Sequence, residues 1–177
     1  MKKYLTVLLA LVAMFTTQAV NAQTSPTDWK YAYQEPDGTI WSNVLPAIYA
    51  NCISKKNAQG FPQLDQDGFV DCKKDAHGNY LNASRYGRDV FEAGTAVIQK
   101  SDATEACRAI GGKLPTKEDY ERLGANHVKL RGMNGHFWTS SVHPDFQYHA
   151  FYFLGDLGYI YDKLLINVKT EVRCVSR

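Results

Sequence analysis

An α+β fold is predicted by three features of the chain. Helix-periodic residues gather between Ser101 and Leu123, strand-like segments cluster after them, and four cysteines are placed to tie these regions together. The expected architecture is two helices packed on a small twisted antiparallel sheet, with long irregular loops and two disulfides.

At the start of the chain, Met1 to Ala22 reads as a secretory signal peptide. It carries Lys2 and Lys3, an apolar run from Tyr4 to Phe15 and the small-residue cleavage site Val20-Asn21-Ala22. The apolar run is short for a membrane span, and no later segment approaches the roughly 18 apolar residues a span needs. Position 23 is Gln, so the cysteine of a lipoprotein cleavage point is missing. Cleavage would take two of the 20 basic residues and none of the 18 acidic ones, leaving no formal net charge. Nothing global therefore draws the chain to nucleic acid or to an anionic membrane. Residues 23–28 form a polar linker, and one domain is expected over 29–177. The expected location is periplasmic or secreted.

The domain opens with a hairpin. Tyr31, Tyr33, Ile40 and Trp41 flank Glu35-Pro36-Asp37-Gly38, where proline presets the turn and glycine takes the positive φ. Val44 to Asn51, with Pro46 near its beginning, has apolar residues at helical spacing and reads as a short helix or helical turn ending before Cys52. From Ser54 to Gly94 the pattern dissolves into an irregular region, and no internal repeat is evident. Within it, Asp65, Asp67 and Asp71 could converge on a calcium ion around Gly68. An EF-hand register fails, because it places Lys74 where a carboxylate ligand is required. The favoured reading is a solvated Asp/Gly turn, and no other cofactor is expected.

Next comes Ser101 to Leu123. Ala103, Ala106, Cys107 and Ile110 share one helical face, so Cys107 points inward. Asp102 with Glu105 suggests an N-cap and capping box, Gly111-Gly112 a stop, Lys113-Leu114-Pro115 an extended link, and Thr116 a second start. Beyond a polar connection over 126–135, strands are expected at His136–Ser141, Tyr148–Leu154, Tyr159–Tyr161, Leu164–Val168 and Val172–Ser176.

Cys52, Cys72, Cys107 and Cys174 form an even set in the exported part, which reads as two disulfides. Of three possible pairings, Cys107–Cys174 is favoured because it staples the helix to the last strand, and Cys52–Cys72 because it closes a local loop. No close C-x-x-C pair suggests zinc.

Taken in order, A-C-R-x-x-G-G at 106–112, Lys113-Leu114-Pro115-Thr116-Lys117-Glu118, Phe137-Trp138-Thr139-Ser140-Ser141, Ala150-Phe151-Tyr152-Phe153 and Val172-Arg173-Cys174-Val175 form a recognisable series. It resembles the Lcl C-terminal domain family, named for a bacterial collagen-like adhesin. More distantly it is similar to C-type-lectin-like and formylglycine-generating-enzyme-like folds. The resemblance covers residues 103–175, and Gly38-Thr39-Ile40-Trp41-Ser42 extends it. It implies a C-type-lectin-like adhesion or glycan-binding module, in some members a trimer, with glycan or another cell-surface component as partner. The chain has no collagen-like or coiled-coil stalk and no Glu-Pro-Asn or Trp-Asn-Asp triplet, so a calcium-bridged sugar site does not carry over.

Catalytic motifs are not found. There is no G-x-S-x-G and no H-x-x-x-H pair, and Ser140 and Ser141 read as strand hydroxyls. A non-enzymatic binding module is expected instead. Aromatic faces with polar neighbours suit sugar rings, and they gather in two loop zones, 131–149 and 156–163. The candidate contacts are Arg131, Asn134, His143, Asp145, Gln147, Tyr148, Tyr152, Tyr159 and Tyr161. If Phe151 and Phe153 face the core, strand alternation turns Tyr148 and Tyr152 the other way. Trp138 is expected in the core, and Arg173 is expected to pair with an acid such as Glu118. The alternative function is a structural or oligomeric envelope protein whose tyrosine-rich face meets protein.

Overall fold

A computed structural model describes residues 29, 32–81, 90–91, 98–143, 145 and 149–176. The expected signal peptide and linker lie outside the described residues. In chain order the elements are β1 (Tyr33–Gln34), β2 (Ile40–Trp41), β3 (Leu45–Tyr49), β4 (Val90–Phe91), β5 (Ile98–Gln99), α1 (Asp102–Ala109), α2 (Lys117–Leu123), β6 (His136–Val142), β7 (His149–Leu154), β8 (Tyr159–Leu165), β9 (Thr170–Val172) and β10 (Val175–Ser176). The fold is α+β; among the described residues there are two α-helices, a 3-10 turn at Gly124–Lys129 and mixed sheets.

The main sheet has five strands in the order β3-β9-β6-β7-β8. It is mixed rather than antiparallel. After the β6-β7-β8 meander the chain returns past β7, and β9 joins the far side of β6 running parallel to it, with Phe137 opposite Glu171. One face carries Trp138 and Ala150, joined by Ile166 from the turn after β8, against Ala103, Ala106 and Cys107 of α1. The other carries Phe137 and Phe153 against Tyr120 and Leu123 of α2, where Tyr120 stacks on Phe153 at 4.5 Å. Each helix thus seals one side, and the period-2 alternation of β6 and β7 feeds both cores.

A smaller sheet, β1-β2-β10, brings the opening hairpin to the C-terminus. Trp41 is buried there, and its indole Nε1 donates to Glu35 at 2.6 Å. The last predicted strand is in fact two. β9 belongs to the main sheet and β10 to the small one, and the chain changes sheets at Arg173-Cys174. The expected segments Tyr159–Tyr161 and Leu164–Val168 meanwhile merge into β8, which ends at Leu165.

The predicted helix at Val44–Asn51 is the edge strand β3, antiparallel to β9. Proline lacks an N–H for a ladder but is tolerated on an edge, so Pro46 fits a strand here as well as it fits a helix start. Tertiary pairing with β9 overrides the local spacing.

Both helices occur at the predicted places. In α1 the cap is Ser101, whose Oγ accepts from the Thr104 N–H, rather than Asp102. In α2 Thr116 caps through a reciprocal box with Asp119. Both disulfides pair as favoured, Cys107–Cys174 and Cys52–Cys72. Gly112 lies tight on the first of these, where an added Cβ would meet the Cys174 Cβ at 3.1 Å.

The region expected to be irregular holds an internal repeat over its described part. Lys55–Pro62, Gln63–Val70 and Lys73–Tyr80 are equivalent eight-residue units. In each, the third residue (Asn57, Asp65, Asp75) accepts through its side-chain oxygen from the backbone N–H groups of the fifth and seventh. Each sixth residue is a glycine in the left-handed region, at φ 82, 82 and 81 for Gly60, Gly68 and Gly78. The result is three tight arms bridged at Lys56–Pro62, Leu64–Val70 and Lys74–Tyr80. Hydrogen bonds from Asn79, the backbone N–H first, hold the Asp75 carboxyl below the usual range.

The arms meet in two closed rings of backbone hydrogen bonds. Lys55 N–H donates to Asp71, Asp71 to Gln63, and Gln63 back to Lys55, at 2.8, 2.9 and 2.9 Å. Ile53 donates to Leu81, Leu81 to Lys73, and Lys73 back to Ile53, at 2.9, 2.8 and 2.8 Å. The Ser54–Cys72 bridge joins the two rings, and the Cys52–Cys72 disulfide locks them beside the core. Three-way rings need only backbone groups, so the repeat shows in a few turn residues and not in hydrophobic periodicity.

Candidate functional site

Three aromatic side chains form a ladder across β6, β7 and β8. His136 meets the edge of Tyr152 at 5.1 Å, and Tyr152 stacks on Tyr161 at 5.7 Å. The cross-strand register puts Tyr152 opposite Tyr161, so the pair shares one face. Tyr152 is half-buried against the α1-side core, whereas Tyr159 and Tyr161 are 59% and 45% exposed. Burial, then Tyr161 and Asp162, raise the Tyr152 phenol above its ordinary pKa, so it remains a neutral donor.

β8 is an edge of the main sheet. Along it, Tyr159 and Tyr161 also line a cleft of about 380 Å³ against α2, with Tyr120, Glu121, Gly124 and Phe153 completing the wall. Gly158 closes one end because His127 packs on it, with the imidazole 2.5 Å from where a Cβ would stand. Ile160, which packs with Phe153 on the α2 side, also lines the cleft, so strand alternation turns the Tyr159 and Tyr161 rings toward the opposite face, that of Tyr152.

His143 belongs to a neighbouring cluster. It stacks on Phe151 at 5.6 Å and places Nε2 3.5 Å from Asp162, while its Nδ1 accepts from the Asp145 N–H. Lys117 lies over the other ring of that pair, Phe151, at 5.5 Å. Asp162 links this cluster to the tyrosines, since it also acts on Tyr152. Arg131 and Asn134 are exposed in the loop before β6 and do not line the tyrosine cleft. Gln147 and Tyr148 lie outside the described residues.

Arg173 does not pair with Glu118. Its guanidinium is buried and donates to the backbone carbonyls of Ser42 and Arg131, fixing the 131–135 loop to the opening hairpin. Burial holds its pKa below the ordinary guanidinium value, with Tyr120 and Glu171 opposing. Carbonyl dipoles take two of the guanidinium nitrogens in place of a carboxylate, while Nε is buried with no hydrogen-bond partner.

Asp65, Asp67 and Asp71 do not converge on a cation. Asp65 Oδ1 is committed to the N–H groups of its own turn, and Asp71 pairs with Lys55 at 2.8 Å. Among the described residues no group of three or more His, Cys, Asp or Glu is placed to hold a metal ion. Among them, too, no helix is long and apolar enough to cross a membrane.

Sequence reasoning missed a second concavity, about 480 Å³, between the first arm and α1. Ile53, Phe61, Pro62, Ala106 and Ala109 form its apolar walls, and Lys56 and Asp102 form an ion pair within it at 2.8 Å. The parallel Lys-Lys-Asn-Ala and Lys-Lys-Asp-Ala of two repeat units was the available signal.

Compared with known proteins, the chain matches no family model, no curated protein and no solved structure.

Proposed function

We propose that this chain is an exported, non-enzymatic recognition domain of C-type-lectin-like architecture that binds glycan through the tyrosine-bearing edge of its main sheet. The observation that carries the reading is the exposure of Tyr159 and Tyr161 on β8, with Tyr161 braced by the half-buried Tyr152. A braced ring presents a flat apolar face with little conformational entropy to lose. Export is supported by the signal-like residues 1–22 and by the two disulfides. The test is a glycan array probed at several calcium concentrations with the unaltered chain and with Tyr159→Ala and Tyr161→Ala. Binding that disappears in both variants, with an unchanged near-UV spectrum, supports the reading.

A second reading rests on the same strand. An edge strand carrying exposed Tyr159, Tyr161 and Leu165 is suited to pairing with another chain, which would make the protein a structural or oligomeric envelope component. Silence across the array together with a stable homo-oligomer in light scattering selects this reading over the first.

A further inference from the structure

The concavity between the first arm and α1 is built around one ion pair. Because Ser101 caps α1, the carboxylate of Asp102 is spared for another role. It is 6% exposed, and Oδ1 accepts from Lys56 Nζ at 2.8 Å. Oδ2 is buried with no hydrogen-bond partner, an arrangement that disfavours the empty groove and that a donor from a ligand relieves. Lys56 gives one of its three donors to Asp102, and its side chain is 44% exposed. The pair therefore sets a buried, unpaired acceptor beside a donor that is partly exposed.

The complement of that pair is an ammonium and a carboxylate on one carbon atom. A simple amine fits less well, because Lys56, Lys73 and Lys100 outnumber Asp102 and Glu105 around the groove. A ligand that brings its own carboxylate meets both charges. The remaining walls are apolar, from Ile53, Phe61, Pro62, Ala106 and Ala109, and a volume of about 480 Å³ suits a small molecule. The groove is held open by rigid neighbours. Asp102 and Ala103 donate their backbone N–H groups to Cys52 and Ala50, and Cys52 is fixed by its disulfide.

We propose that this groove binds a free α-amino acid with an apolar side chain. On binding, the Asp102 carboxylate turns so that Oδ2 meets the ligand's ammonium, Lys56 Nζ meets its carboxylate, and its side chain lies along Phe61, Pro62 and Ala109. The site is separate from the tyrosine edge and stands or falls independently of glycan binding.

The test is a titration of the oxidised chain, followed by amide NMR shifts, with L-phenylalanine and L-leucine. N-acetyl-L-phenylalanine and phenethylamine, each lacking one charge, serve as comparisons. Expected are saturable shifts at Ile53, Phe61, Ala106 and Ala109, with each analogue at least about tenfold weaker. Asp102→Asn weakens binding to a similar extent, Ala109→Phe abolishes it by filling the groove, and Tyr161→Ala leaves it unchanged. No saturable shift with either amino acid, equal binding of the analogues, or shifts confined to β8 overturns the proposal. Should Asp102→Asn fail to fold, the analogues report the same two contacts on the unaltered chain.

Discussion

Alanine substitution at Gly60, Gly68 and Gly78 tests whether the three arms are physically equivalent. All three glycines have φ of 81 or 82, and none has an atom within 4 Å of the place a Cβ would occupy. The cost is therefore backbone strain alone. An L-residue in the left-handed region costs about 1–2 kcal/mol. Restricting the unfolded chain offsets about 0.4–1 kcal/mol of that. Each variant should lose about 1 kcal/mol, a fall of about 2–4 °C in Tm for a domain of this size, and the three losses should agree within experimental error. Gly112→Ala is the contrast, because its Cβ would press on Cys174 Cβ and the Val175 carbonyl at 3.1 Å, and neither can give way cheaply. It should cost clearly more than any arm variant. Differential scanning calorimetry and urea unfolding read all four. A silent Gly68→Ala beside a costly Gly60→Ala, or an arm variant as damaging as Gly112→Ala, would refute the equivalence of the units.

Two further perturbations separate other contributions. Removing Cys107–Cys174 by double alanine substitution should cost about 4 kcal/mol in the chain-entropy model, against about 3 for Cys52–Cys72, because the sequence separations are 67 and 20. Urea midpoints of the two double variants should fall in that order, and the reverse order sinks the loop-length account. Burial raises the pKa of Glu171 in the fold, with Arg173 opposing, and its Oε2 is buried without a partner. The folded state therefore holds the proton more tightly than the unfolded chain, so this group's contribution to stability declines as pH rises from the ordinary glutamate value through the raised one. Glu171→Gln should flatten that slope and raise Tm at neutral pH. Unchanged pH dependence in thermal melts from pH 4 to 8 would remove Glu171 as its source.

Much of the scaffold was legible because its determinants are local. The face of Ala103, Ala106 and Cys107, the capping box at Thr116 and the turn at Gly38 specify themselves through backbone geometry and side-chain period. Asp102 misled because Ser and Asp are both good N-caps; Ser101 takes the Thr104 N–H, and Asp102 pairs with Lys56 of a distant arm instead. Val44–Asn51 misled for a similar reason, since Pro46 suits a helix start and an edge strand alike. Of the proposed contacts, the structure brings Tyr152 and Tyr161 together and sets Tyr159 on the same strand, because period-2 alternation is readable in β7 and β8. Arg131 and Asn134 had only loop position to recommend them.

By itself, the sequence determined the helices, the meander strands and an even cysteine set compatible with two staples. Each of these depends on neighbours along the chain or on the chemistry of a residue type. Only the tertiary structure decided that β9 runs parallel to β6, that Arg173 answers to carbonyls, and that three eight-residue arms close into two hydrogen-bonded rings. Backbone pairing between distant residues leaves little trace in side-chain pattern, and the Lys56–Asp102 groove exists only because such pairing folds the first arm onto α1.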